Sequence, residues 1–167
     1  MKPHLICIFL ILFFTWGIFA NVQSQNFLNT TFKNLEGNYV TLDEEKGEKL
    51  TILDFWATWC KPCVKSIPEM VKLNDEFKDQ GVKFFGINED SPRNINKVRP
   101  FAHSKGIDYE VILDSDQEIM TELVVSVLPT MIILDENGKV VYSHQGYNTG
   151  DELIIKQKIE ELLSNAN

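Results

Sequence analysis

Two thiols separated by two residues, Cys60 and Cys63, lie where the run Asp54-Phe55-Trp56-Ala57-Thr58-Trp59 gives way to a segment of helical periodicity. A strand that runs directly into a helix leaves both sulfurs at the helix N-terminus, where unpaired backbone N–H groups and the positive end of the helix dipole stabilise an anion. Cys60 stands at the turn itself and is followed by Lys61, so it is expected to be the exposed, easily ionised thiol, its pKa drawn from about 8.5 towards about 7. Cys63, one turn further in, is expected to be shielded. Such a pair exchanges disulfides: the Cys60 thiolate attacks a partner disulfide, and Cys63 then attacks the Cys60 sulfur and frees the reduced partner. Pro62 suits the first helical turn, where its missing N–H is not needed.

Asp54, six residues before Cys60, sits inside an apolar run, where a carboxylate is costly unless paired or protonated. Burial raises a carboxyl pKa, which would let Asp54 pass a proton to or from Cys63 during exchange. An aspartate that only hydrogen-bonds the backbone is the plainer alternative. His103 and His144 show no metal-ligand spacing and read as surface histidines, and no metal or cofactor site is expected. Trp56 reads as core, whereas Trp59 is expected to border the site. Asp75, Glu76, Asp79, Glu160 and Glu161 read as solvated helix faces.

The surrounding pattern supplies elements to hold these residues. Residues 51–57 form a compact apolar run, the signature of a strand buried on both faces. Val64, Ile67, Met70, Leu73 and Phe77 then recur at three- and four-residue spacing, predicting a helix over 61–80 in which Pro68 should produce a kink. Further strands are predicted at 82–88, 109–113, 130–134 and 139–143, with helices at 93–104 and 117–123 and a closing one marked by Leu153, Ile155, Ile159, Leu162 and Leu163. Asn137-Gly138 marks a hairpin between the last two strands. Before all of these, residues 31–32 and 39–42 read as a small hairpin across Asn34-Leu35-Glu36-Gly37-Asn38. Strands alternating with helices imply an α/β sheet covered on both faces, and no repeat or linker divides it.

Composition narrows the function. Lys+Arg 16 against Asp+Glu 24 gives a net charge of −8, which argues against a nucleic-acid partner. Residues 5–20 carry no charge and follow Lys2, as a secretory signal does; cleavage after Ser24 would leave a domain over 25–167. An uncleaved segment would instead serve as a membrane anchor. Either way the chain is expected outside the cytoplasm, in a periplasm-like oxidising space, with Cys60 and Cys63 as its only cysteines beyond Cys7 of the signal.

With Trp59-Cys60-Lys61-Pro62-Cys63, Pro68 and Leu128-Pro129-Thr130 in place, the sequence resembles the thioredoxin superfamily, and more closely its exported TlpA/ResA-like branch. The resemblance implies a central mixed sheet flanked by helices, an inserted helix and strand within residues 90–111, and a loop at Gly146-Tyr147 bordering the site. It implies a cis Pro129 facing the sulfurs, with Trp59, Lys61, Pro62, Leu128, Pro129 and Thr130 contacting an extended substrate segment. It further implies exported disulfide-containing proteins as partners and a membrane thiol-reducing transporter as electron donor. Cytochrome-maturation members of the branch often carry an acid three residues after the second cysteine; Ser66 stands here, which weakens haem-apoprotein reduction as the specific task. Thiol peroxidases of the peroxiredoxin type expect Thr and Pro where this chain has Ala57 and Leu53. A copper carrier using both thiolates and a purely structural Cys60–Cys63 bridge are the remaining alternatives.

Overall fold

The computed structural model describes residues 26–165, so the expected signal segment and Cys7 lie outside the described residues. Five strands form one mixed sheet in the order β5-β4-β3-β6-β7. They are β3 (Leu50–Trp56), β4 (Val82–Asn88), β5 (Glu110–Leu113), β6 (Thr130–Asp135) and β7 (Val140–Gln145). Strands β3, β4 and β5 run parallel, β6 runs antiparallel to β3, and β7, antiparallel to β6, runs in the direction of the first three. Every residue of β3 is buried, as expected of a central strand whose two faces are both covered.

Alternate residues of the strands feed two apolar layers. Leu53, Phe55, Phe85, Ile87, Ile132 and Leu134 face the short helices α1 (Asn26–Asn29), α2 (Leu42–Glu45) and α5 (Glu118–Glu122) through Phe27, Leu42 and Ile119. On the opposite face, Leu50, Ile52, Phe84 and Ile133 meet Met70, Leu73 and Phe77 of α3 (Lys61–Phe77) and Ile155 and Ile159 of α6 (Asp151–Asn165). Helix α4 (Ile95–Lys105) joins that face near the cysteines, where Val98 and Ala102 pack with Trp56, Cys63, Ile67 and Val111.

The small hairpin forms as predicted, β1 (Thr31–Lys33) pairing antiparallel with β2 (Tyr39–Thr41). Leu42, expected to end its second strand, instead opens α2 and is fully buried. The helix expected over 61–80 is α-helical to Phe77 and finishes as one 3-10 turn, Lys78–Gln80, closed by Gly81 at φ 82°. It continues through Pro68. The inserted helix and strand appear as α4 and β5, the latter on the sheet edge beside β4.

Candidate active site

Cys60 is the N-cap of α3, and the backbone between it and β3 is a tight turn in which Cys60 N–H donates to the Ala57 carbonyl (3.1 Å). Cys60 and Cys63 form a disulfide with their Cα atoms 5.3 Å apart. The Cys63 N–H donates to Cys60 Sγ at 3.2 Å, so one of the helix's otherwise unpaired donors points at the sulfur that must carry charge. Cys60 retains only 4% of its surface and Cys63 none. The order of exposure follows expectation, but Cys60 is not openly exposed, because the apolar cluster of Trp56, Ala57, Ile67 and Leu128 closes around both residues. Lys61 and Pro62 are exposed beside it.

The end of β4 holds this turn in place. Asp90 accepts hydrogen bonds from the Thr58 N–H (2.7 Å) and the Thr58 hydroxyl (2.6 Å), and Asn88 Nδ2 donates to the same carboxylate at 3.0 Å. Glu89 N–H donates to the Trp56 carbonyl at 2.9 Å. Three polar residues at the end of an apolar strand, Asn88-Glu89-Asp90, were the sequence signal for this clamp, and reading the strand as core alone passes over it.

Asp54, on β3 six residues before Cys60, is 2% exposed. Its register partners are Gly86 on β4 and Met131 on β6, and Tyr109 donates its hydroxyl to Asp54 Oδ2 at 3.3 Å. Gly86 is what admits the tyrosine: a Cβ there would stand 2.8 Å from the Trp56 indole nitrogen and 3.2 Å from Tyr109 Cε2. Burial raises the Asp54 pKa from 3.8 to about 7, against the opposing pull of the Tyr109 hydrogen bond. Burial and the facing Asp54 push the Tyr109 phenol well above its ordinary range. Asp54, Ser66, Pro129, Met131, His144 and Tyr147 line a narrow recess of about 10 Å³, room for a single water at most. Ser66, three residues after Cys63, donates to the Cys63 carbonyl at 3.1 Å.

On the other side of the disulfide a groove of about 430 Å³ opens to solvent. It collects Trp59, Cys60, Lys61, Pro62 and Leu128 from the expected site residues. Trp59 stands 63% exposed at its rim. The Leu128–Pro129 peptide bond is cis, and the Pro129 carbonyl accepts from Gly146 N–H at 2.8 Å. Pro129 belongs to the Asp54 recess and not to the groove. Thr130 is buried with its hydroxyl donating to the Val127 carbonyl at 2.7 Å, so its side chain shapes the loop. His103 is exposed as expected; His144 is half-buried, with Nε2 3.1 Å from an Asp151 oxygen, because its strand brings it under the start of α6.

Five members of the groove were not anticipated: Glu89, Gln117, Met120, Ser126 and Val127. Gln117 and Val124, at either end of α5, have φ of 58° and 54°. A β-branched residue in that region is strained, and Val124 is also 80% exposed, so the chain turns from α5 towards the groove residues 126–128 at a conformational cost.

A sheet of this topology that presents a Cys-x-x-Cys disulfide on a helix N-terminus defines a thioredoxin-like thiol–disulfide oxidoreductase. Residues 24–143 match the AhpC/TSA family, and the chain belongs to that family. It is 32% identical over 144 residues to the thiol-disulfide oxidoreductase ResA of Halalkalibacterium halodurans, spanning 86% of this chain and 75% of that protein. Among solved structures, a thioredoxin-like protein of Porphyromonas gingivalis superposes with a TM-score of 0.70 at 35% identity, covering 83% of this chain and 92% of that one. StoA of Bacillus subtilis superposes with a TM-score of 0.63 at 28% identity, covering 77% and 95%.

Proposed function

We propose that this protein works outside the cytoplasm as a reductant of disulfide-bonded proteins, Cys60 as attacking and Cys63 as resolving thiol. The observation that carries the reading is the asymmetry of the two sulfurs: Cys60 lies on an open groove and receives a backbone N–H, whereas Cys63 is fully buried and takes no part in that groove. In the forward direction Cys60 thiolate displaces one sulfur of the substrate disulfide as a thiolate. Cys63 then attacks Cys60 Sγ, the second substrate sulfur leaves, and two electrons have passed to the substrate. Asp54, with a pKa near the working pH, accepts the Cys63 proton as that sulfur attacks. Trp59, Lys61, Pro62 and the 128–130 segment frame the substrate.

Little in the buried surroundings of the sulfurs steadies a second thiolate, which favours giving electrons away. Glu89 lines the groove beside Cys60 as an acid that burial holds neutral, and among the described residues no Lys or Arg is buried. Without a buried cation the dithiolate is less favoured and the disulfide more so, which makes the reduced protein a stronger reductant. The reduced state would be replenished by a membrane thiol transporter, and residues 1–24 would direct export or tether the domain. Among the described residues no helix is long and apolar enough to cross a membrane, and no three His, Cys, Asp or Glu side chains converge as metal ligands. Equilibration with glutathione tests the direction. The expected potential lies nearer thioredoxin's, about −270 mV, than the roughly −120 mV of the oxidant DsbA. A value above about −180 mV would overturn the reductant reading.

A further inference from the structure

Four carboxyl groups are buried within reach of the redox site, and three of them are satisfied. Asp54 accepts from Tyr109, Asp90 from Thr58 and Asn88, and Asp114 from the N–H groups of Glu118, Ile119 and Met120. Glu89 is the exception: 4% exposed, it receives no N–H or O–H donor on either oxygen, its polar neighbour being another acid, Asp114, and it alone of the four lines the groove beside Cys60. A buried acid that meets only a second acid is costly, and a fold that keeps one beside its reacting sulfur has a site suited to an incoming cation.

We propose that the groove seats a lysine or arginine side chain adjacent to the substrate's reacting cysteine, and that Glu89 receives its charged head. This rests on the redox reading above and names the substrates it would favour. The walls suit the aliphatic stem of such a residue, since Met120, Val127 and Leu128 are apolar while the acid lies among them. Charge complementarity selects a cation over a neutral tip. Asp114 adds a second negative charge close to Glu89, and Lys61, the cation on the groove, is exposed to solvent. Burial first, and the charge and hydrogen bond of Asp114 after it, hold Glu89 protonated, with its pKa at about 9; an incoming cation offsets these and lets the proton leave. A volume of about 430 Å³ accommodates one long side chain with its flanking backbone.

The test uses the protein reduced with dithiothreitol and freed of excess reagent. It is mixed with peptide disulfides identical except for Lys, Gln or Glu next to the cysteine. Each turnover passes two electrons and two protons from the Cys60–Cys63 dithiol to the peptide disulfide, leaving two peptide thiols and the protein disulfide. Rates are divided by those of dithiothreitol with the same peptide, which cancels the effect of the flanking charge on the peptide's own reactivity. The Lys peptide is expected to react about tenfold faster than the Gln peptide, and the Glu peptide slowest. In Glu89→Gln the Lys to Gln ratio should fall to near one. A ratio near one in the unsubstituted protein overturns the proposal whether or not the variant folds. A ratio that survives Glu89→Gln overturns it too, since the preference would then come from the acidic surface at large. Failure to reduce any peptide would instead strike the redox reading, and this one with it.

Discussion

Cys60 and Cys63 are covalently joined, yet the ground on their two sides could hardly differ more. On the Cys60 side lies a groove of about 430 Å³, walled by side chains that keep partial exposure and ending on an acid that no N–H or O–H donor reaches. On the Cys63 side, reached through the Ser66 hydroxyl on its carbonyl, a recess of about 10 Å³ is lined by Asp54, Ser66, Pro129 and their neighbours, and the acid there is held by Tyr109. Both acids are pushed towards their neutral forms by burial, but one lies on a groove that could admit a side chain and the other on a recess that could admit at most a water. The division assigns recognition to the outer side and proton handling to the inner one.

The largest effects should follow from removing the sulfurs. Cys60→Ser is expected to abolish insulin reduction to background, a loss of at least about a thousandfold. Cys63→Ser should also stop turnover while leaving Cys60 able to capture partners as stable mixed disulfides, visible by mass spectrometry of material from cells. If the two variants captured partners equally, the contrast between the sides would be wrong.

Asp54→Asn separates the inner side next. A native pKa near 7 against 3.8 in the unfolded chain means that the native state holds the extra proton between those values. Stability therefore declines as pH rises from about 3.8 to 7 and is flat above. Replacing the acid by its neutral isostere should recover up to about 4 kcal/mol at pH 8 and almost nothing at pH 3, read from urea unfolding at each pH. The same variant should lose the inflection near pH 7 in the rate at which Cys63 resolves a mixed disulfide.

Trp59→Ala should raise KM for protein disulfides by about tenfold, the ordinary weight of an exposed aromatic contact, with kcat much less affected. An equal fall in kcat would place Trp59 in the chemistry and blur the two sides. The smallest change is expected from Tyr109→Phe. The phenol's hydrogen bond lowers the Asp54 pKa, so its loss should move the Asp54 inflection upward by about one pH unit or less, measured by carbon NMR of the carboxyl. A downward movement would show that Tyr109 has another role.

Much of the inner side was legible in the sequence, because a lone acid within residues 51–57 can be there only at a cost, and the spacing from Asp54 to Cys60 and Cys63 is local. The succession of strands and helices along the chain followed from the alternation of their patterns, whereas the order of the strands within the sheet came from the structure. The outer side was harder to see. Its walls come from β3–α3, the end of β4 and the α5 region, which lie far apart in the chain, and residues such as Met120 and Val127 carry no signal that separates a groove wall from core. Glu89 reads as one more charge after a strand until the fold shows it buried, beyond the reach of any N–H or O–H donor and beside a second acid, Asp114. His144 misled in the opposite direction: an isolated histidine in an alternating strand looks exposed, and only the start of α6 above it supplies Asp151. The turn from Leu42 into a helix likewise depends on its burial against the main sheet.

The missing side chain at position 86 ties distant sites into one unit of inheritance. Any larger residue there would press first on the Trp56 indole and then on the ring that reaches across from position 109, so these positions cannot drift singly. A library randomised at position 86 alone should return glycine almost exclusively, whereas randomising positions 56, 86 and 109 together should admit alanine or serine paired with smaller residues at 56 and 109, at the cost of leaving the buried acid alone.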